Sequence, residues 1–173
     1  MTTARTFRAT LPLILAVVLG ATCGDQPVPT PQDPGGDLSG SVVRGEIEYD
    51  AEVLVMESFP VQLAGRATVT NRSGQPRTVT FPDGCVALMR AYSPEGGDPA
   101  WDQAQGIGCT MALVPVELAP GEERVLPTPN ASGYDILGTT LPDGAYRITV
   151  YLRPIEEEVV EIDVGTTDLA IPR

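Results

Sequence analysis

Short apolar–polar alternations, separated by glycine and proline turns, run along most of the chain. The clearest lies in LPDGAYRITVYLRP, where Tyr146, Ile148, Val150 and Leu152 fall on one face, and EEEVVEIDVG and VQLAGRATVTN show the same period. CTMALVPVEL is also strand-like from Cys109 onward. A period of two residues is typical of strands with one buried face, and runs long enough for helices are rare. The pattern predicts an all-β, antiparallel β-sandwich of seven to nine strands over residues 42–173.

The first 22 residues have a different character. Arg5 and Arg8 precede the nine-residue apolar run LPLILAVVL, which ends at Leu19 and is followed by the small residues Gly20 and Ala21. A membrane-spanning helix needs about 20 apolar residues, whereas this order of charge, apolar core and small residues is typical of a secretory signal. We therefore predict an export signal over residues 1–22.

Residues 23–41 are predicted to be a lipid-attachment site followed by a disordered linker. From Asp25 to Ser41 the chain reads DQPVPTPQDPGGDLSGS, which is rich in proline and glycine and poor in apolar residues. Such a segment buries too little surface to fold alone, and its prolines make it an extended spacer.

The composition excludes several classes of function. The chain has 23 acidic and 11 basic residues, a net charge of −12, and two of those basic residues belong to the predicted signal. An acidic surface repels phosphate backbones, so we expect no nucleic-acid partner. The chain has no histidine, which rules out Ser-His and Cys-His nucleophiles and histidine-ligated zinc. We expect no enzyme activity, no catalytic residues, no cofactor and no metal.

Three cysteines require an explanation in an exported chain. Pairing Cys85 with Cys109 closes a loop for which the chain-entropy model gives about 3.5 kcal/mol of stabilisation, and Cys23 is then left over. The stretch LGATCGD resembles a lipobox, which implies a lipid on Cys23 and a protein anchored in the bacterial cell envelope, on the periplasmic or outer-membrane face. Leu19 and Thr22 depart from the usual lipobox. Ordinary cleavage after Ala21, leaving Cys23 as a free thiol, therefore stays open.

Three motifs resemble one known family. ATVTNRSGQPRTVTF (residues 67–81), ELAPGEERVL (117–126) and LPDGAYRITVYL (141–152) are similar, in order and spacing, to the intracellular proteinase inhibitor (BsuPI) domain family. The resemblance implies an immunoglobulin-like sandwich, with Trp101 in an intermediate loop, and proteinase inhibition as an activity. Tyr146 resembles a tyrosine corner, whose hydroxyl group pins a crossing loop.

The loop Ser93 to Gly108 is the predicted recognition element. It is the least strand-like part of the domain and contains Glu95, Asp98, Trp101 and Asp102. Loops on a rigid scaffold often carry binding residues, and tryptophan is a frequent hot spot. Trp101 covering one end of the core is the competing interpretation. Carboxylate oxygens could also suit calcium, although the spacing matches no EF-hand.

The sequence therefore favours a lipid-anchored envelope protein that presents a monomeric, immunoglobulin-like protein-binding domain. Its membrane contact is the N-terminal lipid, and its expected partner is a protein, with a protease as the class that the family resemblance implies. A structural or accessory envelope domain with no discrete target is the alternative.

Overall fold

The computed structural model describes residues 38–172. The predicted signal, Cys23 and nearly all of the predicted linker lie outside these residues. The strands are β1 (Leu38–Arg44), β2 (Ile47–Met56), β3 (Gln62–Asn71), β4 (Arg77–Phe81), β5 (Ala87–Tyr92), β6 (Trp101–Asp102), β7 (Val114–Leu118), β8 (Glu123–Pro127), β9 (Ala131–Ser132), β10 (Gly144–Leu152) and β11 (Val160–Leu169). A 3-10 turn (Gln103–Gln105) follows β6, and a short helix α1 (Gly133–Leu137) follows β9. Within the described residues no helix is long and apolar enough to cross a bilayer.

The strands form two large antiparallel sheets and one small one. The first sheet has the order β1-β2-β3-β8, with β9 also paired to β3, and the second has the order β11-β10-β5-β6. Strands β4 and β7 form a separate pair. Nine of these strands have five or more residues, and β6 and β9 have two each. The predicted antiparallel β-sandwich of seven to nine strands is confirmed by the longer strands.

The core lies between the inner faces of the two large sheets. Tyr146, Ile148, Val150 and Leu152 of β10 all belong to it, as the alternation in that segment predicts. Alternate residues of β11 in the same sheet and of β2 and β3 in the facing sheet also belong to it, together with residues of β4, β5 and β7. The period of two thus separates buried from exposed positions in the way expected for half-buried strands.

The first strand begins earlier than predicted. Leu38 pairs with Val53, and the pairing continues to the end of β1, so the sandwich starts four residues before the predicted boundary at Val42. The segment LSGS resembles a linker because glycine and serine have low strand propensity. Gly40 is there because β1 crosses close to β11: a Cβ atom at Gly40 would lie 2.0 Å from the carbonyl oxygen of Asp163.

The predicted tyrosine corner is confirmed, and two further turns are held by specific backbone and side-chain hydrogen bonds. The hydroxyl group of Tyr146 donates to the carbonyl oxygen of Pro142 at 2.8 Å, as in a tyrosine corner. Gly121 has φ +75°, and the Glu122 amide donates to the carbonyl oxygen of Ala119, as in a type II turn. Asn71 is fully buried in its turn, where its side-chain amide donates to three backbone carbonyl oxygens.

The sandwich has two ends. The entry end is where β1 begins at Leu38, and it also contains the β2–β3 connection, loop 93–100 and α1. The distal end contains the β1–β2 turn at Gly45 and the β10–β11 turn at Glu156, which line one common cavity. The start of β5, which is paired to the end of β10, lies at the distal end as well.

Candidate protein-binding site

The long connection between β5 and β7 is the largest irregular segment of the sandwich. It covers residues 93–113 and contains β6 and the 3-10 turn near its middle. These two elements are fixed to the second sheet. An exposed stretch precedes β6, and another follows the 3-10 turn. We call residues 93–100 the entry loop and residues 106–113 the distal loop.

Gln103 fixes the middle of this connection. Its side chain is 2% exposed. The side-chain carbonyl oxygen accepts from the backbone amide of Met89 in β5 at 3.0 Å, and the side-chain amide donates to the carbonyl oxygen of Pro129 at 2.8 Å. One side chain thereby joins the β5–β7 connection to the central strand of one sheet and to the segment after β8.

Asp102 adds a second attachment. Its carboxylate accepts from the Nε atom of Arg90 at 2.8 Å, from the hydroxyl group of Tyr151 at 2.7 Å and from the amide of Ala104 at 3.0 Å. The Arg90 guanidinium group lies 3.8 Å from the centroid of the Tyr151 ring, which is a cation–π contact. Asp102 therefore belongs to the outer face of the second sheet and does not belong to an exposed recognition loop.

Glu161 extends the same network onto β11. Its carboxylate accepts from Arg90 at 3.0 Å, from the hydroxyl group of Tyr92 at 2.5 Å and from the hydroxyl group of Thr149 at 2.7 Å. Arg90 thus joins two carboxylates that come from opposite edges of the four-stranded sheet. We call Arg90, Tyr92, Asp102, Tyr151 and Glu161 the sheet network.

The protonation of the sheet network indicates a structural role. Burial alone would raise the pKa of the Asp102 carboxyl group, but hydrogen bonds from Tyr151 and Arg90 outweigh it and hold that pKa below its usual value. In Glu161, burial is likewise outweighed by hydrogen bonds from Tyr92 and Thr149, so its pKa is also lowered. A general acid or base working near neutral pH needs a carboxyl pKa raised toward neutrality. Both carboxylates stay ionised, and they tie the strands together.

The four residues predicted for recognition are divided by the structure. Glu95 and Asp98 lie exposed in the entry loop. Trp101 is in β6, paired with Ala91, and is half-buried and packed against the core, which favours the competing interpretation of Trp101. Asp102 is in the sheet network. Trp101 and Asp102 are only half-exposed because β6 continues the second sheet by one short strand.

The entry loop does not form a calcium site with Asp102. Glu95 lines a cavity of about 310 Å³ together with Ser93, Pro94 and residues 141–146, whereas Asp98 and Asp102 do not line it. In the part of the chain from 38 to 172, the one group of three possible metal-ligating residues is Asp83, Cys85 and Cys109. Its two cysteines are bonded to each other.

The predicted disulfide bond between Cys85 and Cys109 is present and fixes the base of the distal loop. Beside it, the Gly84 amide donates to the carbonyl oxygen of Thr110 at 3.1 Å. A Cβ atom at Gly84 would lie 2.2 Å from the Thr110 hydroxyl oxygen, so glycine makes this close packing possible. Asp83 also stabilises the base of the loop, because its carboxylate accepts from the Cys85 amide at 2.9 Å and from Arg153 at 3.0 Å.

The tip of the distal loop is apolar and exposed. The Met111 side chain is 95% exposed and that of Leu113 is 64% exposed. No charged residue occurs between Asp102 and Glu117, in a chain of which one fifth is charged. Beyond the tip, Val114 begins β7 and pairs with Phe81 of β4. The loop is therefore held on both sides and presents large apolar side chains to solvent.

Sequence reasoning missed Met111 and Leu113. Residues 109–113 were expected to begin a strand, but the strand begins at Val114. The disulfide bond and the Thr110 contact hold these residues away from the sheet, so their apolar side chains point outward. The available signal was an uncharged apolar run directly after a paired cysteine in an acidic chain.

Comparison with known proteins gives only distant structural similarities. No family model matches the chain. It is similar to β-glucosidase 3B from Thermotoga neapolitana in complex with glucose (16% identity, 71% of this chain, 16% of that chain, TM-score 0.37) and to β-glucosidase from Listeria innocua in complex with glucose (16%, 72%, 17%, 0.35). It is also similar to a protein named ApaA from Bordetella pertussis (19%, 72%, 96%, 0.27). The chain spans about one sixth of the length of the two β-glucosidases. The resemblance to the proteinase inhibitor family stays a prediction.

Proposed function

We propose that this chain is a bacterial cell-envelope lipoprotein whose β-sandwich binds a protein partner, a protease, through the distal loop and inhibits it. The observation that carries the proposal is the rigid, uncharged distal loop, with Met111 95% exposed at its tip. Interface centres are depleted in charged residues and enriched in methionine and aromatic residues. Met111 and Leu113 expose two large apolar side chains within one short loop, and grouped exposed apolar residues mark interaction sites more often than single ones do.

The distal loop is a better contact surface than the entry loop. Its base is fixed by the Cys85–Cys109 disulfide bond and the Gly84–Thr110 hydrogen bond, which reduces the ordering entropy lost on binding. The entry loop instead presents the carboxylates of Glu95 and Asp98 and has two glycines in the left-handed region. It also lies at the end where β1 begins. A tether attached at Leu38 leaves the distal loop at the far end of the domain.

The anchor is supported by cysteine pairing. Because Cys85 and Cys109 are bonded to each other, Cys23 has no partner among them. We infer that Cys23 carries the lipid and that the proline-rich segment after it is the spacer. The test is mass spectrometry of the mature N-terminus together with membrane fractionation. We expect a lipid-modified Cys23 in the membrane fraction, and release of the Cys23→Ala variant into the soluble fraction. An unmodified N-terminus at Ala21 or Thr22 would contradict the anchor.

Inhibition is tested by titration of the full chain, expressed with its own export segment, against a panel of exported serine proteases. We expect slower substrate hydrolysis by at least one protease at micromolar chain. Binding to the same protease should be lost when its active-site serine is chemically blocked, because a competitive inhibitor needs the open site. A chain that neither slows nor binds any protease contradicts the proposal and favours the accessory envelope role.

A further inference from the structure

We propose that the Met111–Ala112 peptide bond enters the protease active site in the manner of a substrate, with the Met111 side chain in the primary specificity pocket. This inference rests on the proposed inhibitory function and adds the contact residue, the bond and the class of protease. Three facts about the distal loop support it: its tip is exposed, both of its sides are fixed, and it has no charge.

The position of Met111 relative to the fixed points fits a substrate-like segment. Cys109 is held by its disulfide bond two residues before Met111, and Thr110 is held by the Gly84 amide. Val114 is held in β7 three residues after Met111. A protease cleft has to contact several residues on each side of the bond that it attacks. The fixed points leave Met111, Ala112 and Leu113 between them, with the most exposed large apolar side chain directly before the bond and two further residues after it.

The side chains of this stretch select the class of protease. Methionine is long, unbranched and uncharged, so it fits a deep apolar primary pocket. It does not fit a pocket with a carboxylate at its base, which requires arginine or lysine, or a pocket restricted to small residues. The neighbours Thr110 and Ala112 are small, and Leu113 offers a second apolar contact on the other side of the bond. The expected partner is a serine protease that cleaves after large apolar residues.

The fixed loop also explains how binding becomes inhibition. The protease serine oxygen attacks the Met111 carbonyl carbon, the carbon–nitrogen bond to Ala112 breaks, and the Ala112 nitrogen takes the proton that the serine lost through the protease's base. A free substrate would release its amine fragment, and water would then hydrolyse the ester. Here the Ala112 amine stays close, because the segment after it is held by the pairing of β7 with β4 and of β10 with β5. The amine therefore attacks the ester again, restores the peptide bond and returns the proton to the serine.

The experiment compares the full-length chain with three variants in the inhibition assay, using a serine protease that cleaves after large apolar residues. Met111→Asp places a carboxylate in an apolar pocket, and we expect inhibition to weaken at least 100-fold. Met111→Leu keeps a large apolar side chain and should remain within 10-fold of the unmodified chain. Val125→Asp is the matched control, because Val125 is an exposed apolar residue of β8 in the other sheet, and we expect no change. Unchanged melting temperature and the absence of free Cys85 and Cys109 thiols verify folding.

Mass spectrometry gives a readout that does not depend on the inhibition constant. Prolonged incubation with the protease should produce a single nick between Met111 and Ala112. Both paired cysteines precede that bond, so the two pieces should separate on a denaturing gel without reductant.

The outcomes separate this inference from the proposed function. If the unmodified chain inhibits the protease and Met111→Asp inhibits it equally well, the role of Met111 is overturned, and inhibition acts through another surface. A nick at another bond has the same meaning. Absence of inhibition by the unmodified chain across the panel overturns both.

Discussion

Replacing Gln103 with methionine tests how the β5–β7 connection is held. Methionine has nearly the same length, so it leaves little cavity, but it makes neither of the two hydrogen bonds of Gln103. The Met89 amide, in a strand residue with no exposed surface, loses its side-chain acceptor. An unsatisfied buried amide costs about 1–3 kcal/mol. Pro129 is exposed, so water can replace the lost donor to its carbonyl oxygen, and that bond adds only about 0.5–1 kcal/mol.

The expected loss in the free energy of unfolding is therefore about 1.5–4 kcal/mol, measured by urea denaturation with the disulfide bond intact. Gln105→Met is the matched control, because Gln105 is an exposed residue of the same 3-10 turn, and a surface change of this kind should stay within about 0.5 kcal/mol. Hydrogen exchange should also show a less protected Met89 amide in the Gln103 variant. A loss below about 0.5 kcal/mol for Gln103→Met would refute the role given to this side chain.

Three further predictions concern stability. Tyr146→Phe removes the hydroxyl group that donates to Pro142 and should cost about 1 kcal/mol in urea denaturation, while Tyr134→Phe, at an exposed position, should cost far less. Gly40→Ala forces a Cβ atom against the β11 backbone and should cost about 1–3 kcal/mol, whereas Gly74→Ala, with open space around it, should be nearly neutral; equal effects would contradict the close strand crossing. The pKa of Asp102 is lower in the folded than in the unfolded chain, where it is about 3.9, so its ionised carboxylate stabilises the fold above that pH. This stabilisation is lost as pH falls through the folded pKa, and the difference in stability between the unmodified chain and Asp102→Asn should shrink below about pH 4. A constant difference would contradict the role of Asp102 in the sheet network.

The sequence predicts the β-sandwich well because burial on a strand leaves a local signal. The alternation in β10 predicts which of its residues face the core, and Tyr146 at its start predicts the hydrogen bond to the preceding loop. The disulfide bond follows from the three cysteines once Cys23, directly after the predicted signal, is set aside. These features depend on residues close together in the chain or on simple pairing rules.

The sheet network could not be predicted in the same way. Arg90 and Glu161 are 71 residues apart, and only the order β11-β10-β5-β6 brings them together. Asp102 looks like an exposed loop carboxylate until β6 is known to pair with β5. The start of β1 was missed for a related reason, because Gly40 has poor strand propensity by itself and is needed only where β11 crosses.

The distal loop was missed because apolar residues fit both a strand and an exposed contact. Met111 belongs to an apolar pattern that continues into Val114. The pattern alone does not show whether these residues lie in a strand or form an exposed contact. The separation comes from the Cys85–Cys109 disulfide bond and the packing of Thr110 on Gly84, both of which are tertiary contacts.

The most direct test of the central claim is a hydrogen-exchange footprint of the full chain, alone and with a bound protease. We expect slower exchange in the distal loop, residues 106–113, and unchanged exchange in the entry loop, residues 93–100. Protection of the entry loop around Glu95 and Asp98, with no change at Met111, would contradict it.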